Sequence, residues 1–103
     1  MVKEYIDVSC RKDYNWIDLP KDAVVDNVVV NNNNRIEIHY TSESGESYVS
    51  NGNFGFEYHL FMEGQNVEIT IEADTEKRQI VYSTVLELKK EKYLIVIVKW
   101  EKI

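Results

Sequence analysis

Apolar and polar residues alternate along most of the chain, and this alternation is the strongest structural signal in the sequence. A period of two places apolar side chains on one side of a strand, whereas an amphipathic helix needs them three and four positions apart. The alternating segments recur between turn-forming residues at intervals of about 8 to 12 residues, a spacing typical of an all-β sandwich or barrel. The sequence therefore predicts an all-β, antiparallel β-sandwich of about eight strands, with a flattened β-barrel as the alternative.

Clusters of Gly, Pro, Asn and Asp separate the predicted strands, as turn chemistry requires. The turns after residue 50 are all short, so we expect the last five strands to form a C-terminal antiparallel meander. No Pro/Ser/Gly-rich linker interrupts the chain, so residues 1–103 are expected to form a single domain. The predicted strands cover residues 4–10, 14–17, 23–30, 35–41, 46–50, 54–62 and 67–73, followed by a hairpin of 79–89 with 93–102.

The glycine at the Glu63-Gly64 turn fixes one hairpin register in this prediction. A two-residue turn there opposes residues 54–62 to residues 67–73, with Leu60 facing Val67 and Tyr58 facing Ile69. Both faces of this hairpin are then uniform, one apolar and one polar, and a slip by one residue would destroy that agreement.

The last hairpin is apolar on both faces. An odd loop centred on Glu91 opposes Leu88 to Leu94 and forms one core face, and the second face is then also too apolar for contact with water. Two explanations fit: β-structure from the first half of the chain covers that face, or it is an interface for a second copy or a protein partner, rimmed by lysines. The predicted interface residues are Val85, Tyr93, Ile95 and Ile97.

A second candidate site holds the two histidines of the chain. Glu37 precedes His39 by two residues, and Glu57 precedes His59 by two, so in a strand each pair shares a face. The predicted hairpin also opposes Glu68 to His59. Imidazole with carboxylates nearby can ligate zinc, so these residues are metal-site candidates, although a solvated polar face is the more common origin of this pattern and is the preferred interpretation.

The aromatic residues suggest a third possibility. Most of them alternate with their strands and belong to the predicted core. Tyr14 and Trp16, in a short irregular region, and Tyr48, near an Asn-Gly turn, are the rings expected at the surface. Exposed rings can stack on sugars, which makes a carbohydrate-binding β-sandwich module an alternative function.

Composition limits the protein class. Among 103 residues, 44% are hydrophobic and 12% aromatic, which is too apolar for a disordered chain. The longest apolar run, residues 93–98, is far shorter than the roughly 20 residues that cross a bilayer, and the first residues show no signal-peptide core. The single cysteine, Cys10, cannot form an internal disulfide. We therefore expect a cytoplasmic protein without a membrane segment.

Charge and motifs narrow the function further. The net charge is -6, but residues 1–76 carry 5 Lys or Arg against 15 Asp or Glu, whereas residues 77–103 carry 7 against 3. The acidic larger part would repel a phosphate backbone, so nucleic-acid binding is not expected. No phosphate-binding glycine loop, nucleophile elbow or helical metal motif occurs, and neither a cofactor nor an enzymatic activity is predicted.

The sequence thus favours a non-enzymatic protein-interaction module that self-associates or binds a protein partner through the last hairpin. Its size, acidic charge and Asn/Lys/Glu-rich composition also fit an accessory or inhibitor protein of a virus or mobile element. The alternatives are the carbohydrate-binding module and a small metal-binding protein or enzyme that uses the two histidines.

Overall fold

The computed structural model describes residues 2–8, 15–17, 19–20, 22–43, 54–66 and 76–102, and these contain seven strands. The predictions for Tyr14, Tyr48, Glu68 and Cys10, and the strands predicted at 46–50 and 67–73, lie outside these residues. The strands are β1 (Val2–Val8), β2 (Asn15–Ile17), β3 (Val24–Val30), β4 (Ile36–Ser42), β5 (Phe54–Met62), β6 (Glu76–Leu88) and β7 (Glu91–Lys102).

The strands form two antiparallel sheets. The smaller sheet has the order β1-β4-β3, and the larger has the order β2-β5-β7-β6. The all-β class predicted from the alternation is confirmed, and the described residues contain no helix. The closer assignment to a sandwich or a flattened barrel stays a prediction. No helix in the described part of the chain is long and apolar enough to cross a membrane.

The two sheets contribute their inner faces to one hydrophobic cluster. On the smaller sheet, Ile36, Ile38 and Tyr40 alternate inward along β4. On the larger sheet, Ile95 and Ile97 of β7 are completely buried. Each fully buried aliphatic side chain is worth about 1.5 to 3 kcal/mol relative to an exposed one, so this cluster is the main source of stability in the described residues.

The predicted C-terminal meander is wrong, because β7 lies between β5 and β6 instead of at the end of the sheet. Tyr58 has Asn15 of β2 on one side and Ile97 of β7 on the other. A strand has only two edges, so the predicted pairing of Tyr58 with Ile69 is excluded. The physical reason is the composition of β7: a strand that is apolar on both faces is most stable in the middle of a sheet.

The turn between β6 and β7 also differs from the prediction. Lys89 and Lys90 both have positive φ, 49° and 65°, and Leu88 pairs with Glu91. Positive φ at both central residues is the property of a two-residue type I′ turn, which fits the twist of a hairpin. Asn and Gly favour this turn and lysine does not, so the sequence pointed to a longer loop centred on Glu91.

In the described residues, two of the edge strands contain a β-bulge. One lies in β3 between Val25 and Asn27, and the other lies in β6 between Ile80 and Tyr82. A bulge adds one residue to one strand, so residues on its two sides no longer follow the simple alternation of faces. As a result, Ile80 and Val85 are five residues apart and still lie on the same face of the larger sheet.

Candidate functional site

The corrected hairpin register separates the four predicted interface residues. Leu86 pairs with Tyr93, and Thr84 pairs with Ile95, so this face of β7 points into the hydrophobic cluster. Tyr93 is 8% exposed, and both Ile95 and Ile97 are 0% exposed. Of the two explanations for this face, cover by the first half of the chain holds for these three residues, since they share one cluster with Ile36 and Ile38, and the prediction that they form an interface is wrong. The pairing differs from the predicted register by an odd number of residues, which exchanges the faces of β7 relative to those of β6.

Val85 is the predicted interface residue that the structure places at the surface. Its side chain is 54% exposed, and it pairs with Leu94, which in turn pairs with Phe61. Residues that pair across neighbouring strands share a face, so these three side chains cross the outer face of the larger sheet as one line. We call Phe61, Leu94 and Val85 the outer row. Phe61 and Leu94 are half-buried.

A second apolar side chain joins this face further along β6. Ile80 is 44% exposed and pairs with Val98, on the same face as the outer row. The β6 bulge is the cause, since in a regular strand Ile80 and Val85 would point to opposite faces. The outer face of β6 therefore presents two large apolar side chains to water among the described residues. No signal in the sequence marks this bulge.

At the level of Ile80 and beyond it, away from Val85, the outer face holds a buried ion pair. Arg78 of β6 donates a hydrogen bond from Nη2 to Oε1 of Glu57 on β5, so its side chain crosses over β7. The Arg78 guanidinium lies 4.1 Å from the centre of the Trp100 ring, and the Glu57 side chain is 4% exposed. The pair closes over Val98, which has no exposed surface. This part of the face is covered by an ion pair that links β6 to β5, so it is not an open binding surface.

The two Glu-x-His pairs lie on different sheets. Glu37 and His39 are on the outer face of β4 with 2.9 Å between Oε1 and Nε2, and the His39 ring stacks on Tyr5. Glu57 and His59 are on the outer face of β5 with 3.4 Å between the same atoms. The two histidines therefore lie on separate sheets, and no contact between them is among those of the described residues. Among the described residues no group of three His, Cys, Asp or Glu could hold a metal ion.

Of the predicted sugar-stacking rings, Tyr14 and Tyr48 lie outside the described residues. The backbone of Trp16 is in β2, opposite Glu57. The aromatic ring with the largest exposure in the described part is another one, Tyr5, at 55%. It could have been inferred from the sequence, because Ile6 and Val8 alternate inward on β1 and Tyr5 therefore points outward.

A groove of about 500 Å³ lies beside Tyr5 on the smaller sheet. Tyr5 of β1, His39 of β4 and Asn27 of β3 pair across the sheet and form its floor. Lys3, Glu4, Asp26 and Tyr40 also line it. Asp26 accepts a hydrogen bond of 2.6 Å from the Thr41 hydroxyl, and Glu4 accepts one of 3.1 Å from the Tyr40 hydroxyl. The groove combines one exposed ring with hydrogen-bond donors and acceptors.

Comparison of the chain with protein-family models, with curated proteins and with solved structures found no match in any of the three.

Proposed function

We propose that this protein is a non-enzymatic interaction module that self-associates through the outer face of its larger sheet. The observation that supports the proposal is the outer row, with Val85 at 54% exposure beside the partly exposed Leu94 and Phe61. Burial of apolar surface away from water is favourable by about 25 cal/mol per Å². A continuous apolar line across three strands is therefore a surface that favours contact with another apolar surface.

The charges next to the outer row favour a second copy as the occupant. Lys92 pairs with Glu87, and the backbone N–H of Glu63 donates to the carbonyl of Lys92, so the adjoining row carries both signs of charge. In a two-fold dimer the same patch meets itself. A rim of one sign would repel its own copy, whereas this rim offers each copy both a cation and carboxylates.

Side-chain packing, and not strand addition, is the proposed mode of contact. β7 cannot provide an open edge, since it is flanked by β5 and β6. In the described part of the chain β6 has one strand neighbour, but its bulge disturbs the row of backbone groups that a second strand would need. The contact therefore involves the apolar side chains of the face, Val85 above all.

The test compares two exposed valines on different sheets. Val85→Glu should abolish self-association, since a carboxylate placed in an apolar contact is costly to bury. Val24→Glu is the matched control, because Val24 is 63% exposed and lies on the smaller sheet, away from the outer row. Both variants should keep the folded circular dichroism spectrum. Sedimentation equilibrium over a range of protein concentrations measures the oligomeric state of all three proteins.

Two results would contradict the proposal. The first is a wild-type protein that remains monomeric at about 1 mM, because self-association weaker than that has no functional use. If Val85→Glu and Val24→Glu weaken self-association equally, the contact does not involve the outer row, or the added negative charge alone is responsible. Partner proteins of a different kind, including targets of an accessory or inhibitor protein, then become the leading explanation for the outer row.

The proposed site of action is the cytoplasm. A chain with one cysteine, Cys10, has no need of an oxidising compartment, and the described residues contain no membrane-spanning helix. Fractionation of the cells that make the protein tests this, with recovery in the extracellular medium as the contrary outcome.

A further inference from the structure

The groove on the smaller sheet is a second candidate site, on a different sheet from the outer row. Its volume of about 500 Å³ lies within the range of about 300 to 1,000 Å³ typical of small-molecule sites. It opens to solvent on the outer face of β1, β4 and β3. Its lining therefore decides which ligand chemistry it suits.

The β3 bulge creates the polar wall of this groove. Val25 and Val28 both point into the core, with Asp26 and Asn27 exposed between them. In a regular strand one of these two polar residues would point inward, but the bulge directs both to the outer face. The Thr41 hydroxyl bonds to Oδ2 of Asp26 and so fixes the orientation of its carboxylate. Bulges often position a side chain in this way beside binding sites.

The aromatic side of the groove is formed by the Tyr5 ring, which neighbouring side chains hold in place. Tyr5 stacks on His39 with 5.1 Å between ring centroids and an interplanar angle of 27°. The His39 ring is itself held by its hydrogen-bonding contact with Glu37, at 2.9 Å. Tyr5 is thus supported from below while more than half of its surface remains exposed. A ring held in this way offers its electron-rich face to C–H groups that carry partial positive charge.

The polar groups of the groove disfavour an anion. The Lys3 ammonium is accompanied by two carboxylates, Asp26 and Glu4, of which Glu4 already accepts a hydrogen bond from the Tyr40 hydroxyl. Asn27 supplies both a donor and an acceptor. A ligand with many hydroxyl groups can donate to the carboxylate and accept from the ammonium and the amide. A pyranose has such hydroxyls around its edge and a face of C–H groups that can cover an aromatic ring.

We propose that this groove binds one pyranose unit of a neutral saccharide, with the sugar face on Tyr5 and its hydroxyls bonded to Asp26, Asn27 and Lys3. The stacking ring gives the orientation of the sugar, and the polar wall distinguishes its hydroxyl configuration. Neither role uses a residue of the outer row, so the site can be present whether or not the protein self-associates.

The test is a titration of the isotope-labelled protein with four disaccharides, maltose, cellobiose, lactose and diacetylchitobiose. Amide chemical shifts are followed up to about 50 mM sugar, which saturates a site with a dissociation constant of about 1 mM. We expect saturable shifts at Tyr5, Asn27 and His39 with at least one of the four sugars. Absence of a saturable shift with all four overturns the proposal.

Variants then separate stacking from general surface effects. Tyr5→Ala should weaken binding about tenfold, whereas Tyr5→Phe keeps the ring and should change it less than about threefold. Asp26→Asn should weaken binding about fivefold, because one charged acceptor is lost. Val29→Ala, on the same outer face but outside the groove, is the matched control and should bind as the wild type does. Equal affinity of Tyr5→Ala and wild type overturns the proposal.

Two further measurements identify the source of the ligand and exclude an ion site. Retention of the protein on an insoluble polymer of the preferred sugar indicates a glycan, and binding of the disaccharide alone indicates a free sugar. Sodium phosphate and arginine hydrochloride serve as charged probes. Saturable shifts of the groove residues with either probe, at lower concentrations than with any sugar, would show an ion site and overturn the proposal.

Discussion

Glu37 with His39 and Glu57 with His59 are the same short pattern in two different places. Each pair lies on the outer face of its sheet, and each places a carboxylate oxygen near an imidazole, at 2.9 Å and 3.4 Å respectively. The Glu37 side chain keeps 18% of its surface exposed, while that of Glu57 keeps only 4%. The surroundings of the two pairs therefore differ much more than their sequences do.

The difference comes from residues on neighbouring strands. Beside Glu37 and His39 the sheet carries the exposed Tyr5 ring, which stacks on the imidazole and leaves the groove open. Above Glu57 lies the Arg78 side chain, which reaches it from β6 across the whole width of β7 and also covers the Trp100 ring. A two-residue pattern on one strand thus fixes the direction of a side chain, and the strands beside it determine its solvation.

The largest expected effect is the loss of the buried carboxylate. Glu57→Ala should lower the free energy of unfolding by about 3 to 5 kcal/mol, because it leaves the Arg78 guanidinium in a mostly buried position without the carboxylate that neutralises it. Urea unfolding followed by circular dichroism measures the change. A loss below about 1 kcal/mol would show that solvent reaches the pair and that the two Glu-x-His regions are alike.

An intermediate effect is expected when both members of the pair are replaced. Glu57→Leu combined with Arg78→Met removes both charges and keeps much of the volume, so it should recover most of the stability lost in Glu57→Ala. The double variant should lie within about 2 kcal/mol of the wild type. A double-mutant cycle with Glu57→Leu and Arg78→Met as the single variants gives the coupling energy, and additive losses would contradict direct pairing.

The smallest effect on stability is expected at Glu37, whose surroundings are open to solvent. Glu37→Ala should change the free energy of unfolding by less than about 1 kcal/mol, since solvent can replace the carboxylate that holds His39. The same urea experiment provides the number for comparison with Glu57→Ala. A loss as large as that of Glu57→Ala would mean that Glu37 stabilises the fold through contacts other than the imidazole.

The fold class was predictable because alternation depends only on neighbours in the sequence. The inward positions of β4 and β5 followed from the same alternation, with Ile38 and Leu60 as examples of correctly placed core residues. One error of register arose because β7, apolar on both faces, takes the place beside β5. The other arose where local chemistry disagrees with the backbone. Lys89 and Lys90 adopt positive φ, which lysine disfavours.

The candidate surfaces were less predictable, because the groove depends on one bulge and another bulge adds Ile80 to the face of the outer row. The β3 bulge turns Asp26 and Asn27 to one face, and the β6 bulge does the same for Ile80 and Val85. A bulge is favoured by pairing across the sheet, and neither segment has the glycine that marks some bulges in a sequence. Simple alternation assigns one residue of each such pair to the wrong face.

The bulges in β3 and β6 also affect whether further strands can add to the edges of the two sheets. β3 and β6 each end a sheet within the described residues, and between them they carry Val24, Val29, Ile80 and Val85 at the surface. Straight, apolar edge strands of this length would be templates for cross-β fibrils. The kink in each strand interrupts the regular spacing of amide groups that a fibril copies, so removing the extra residue from either bulge should shorten the lag before amyloid forms.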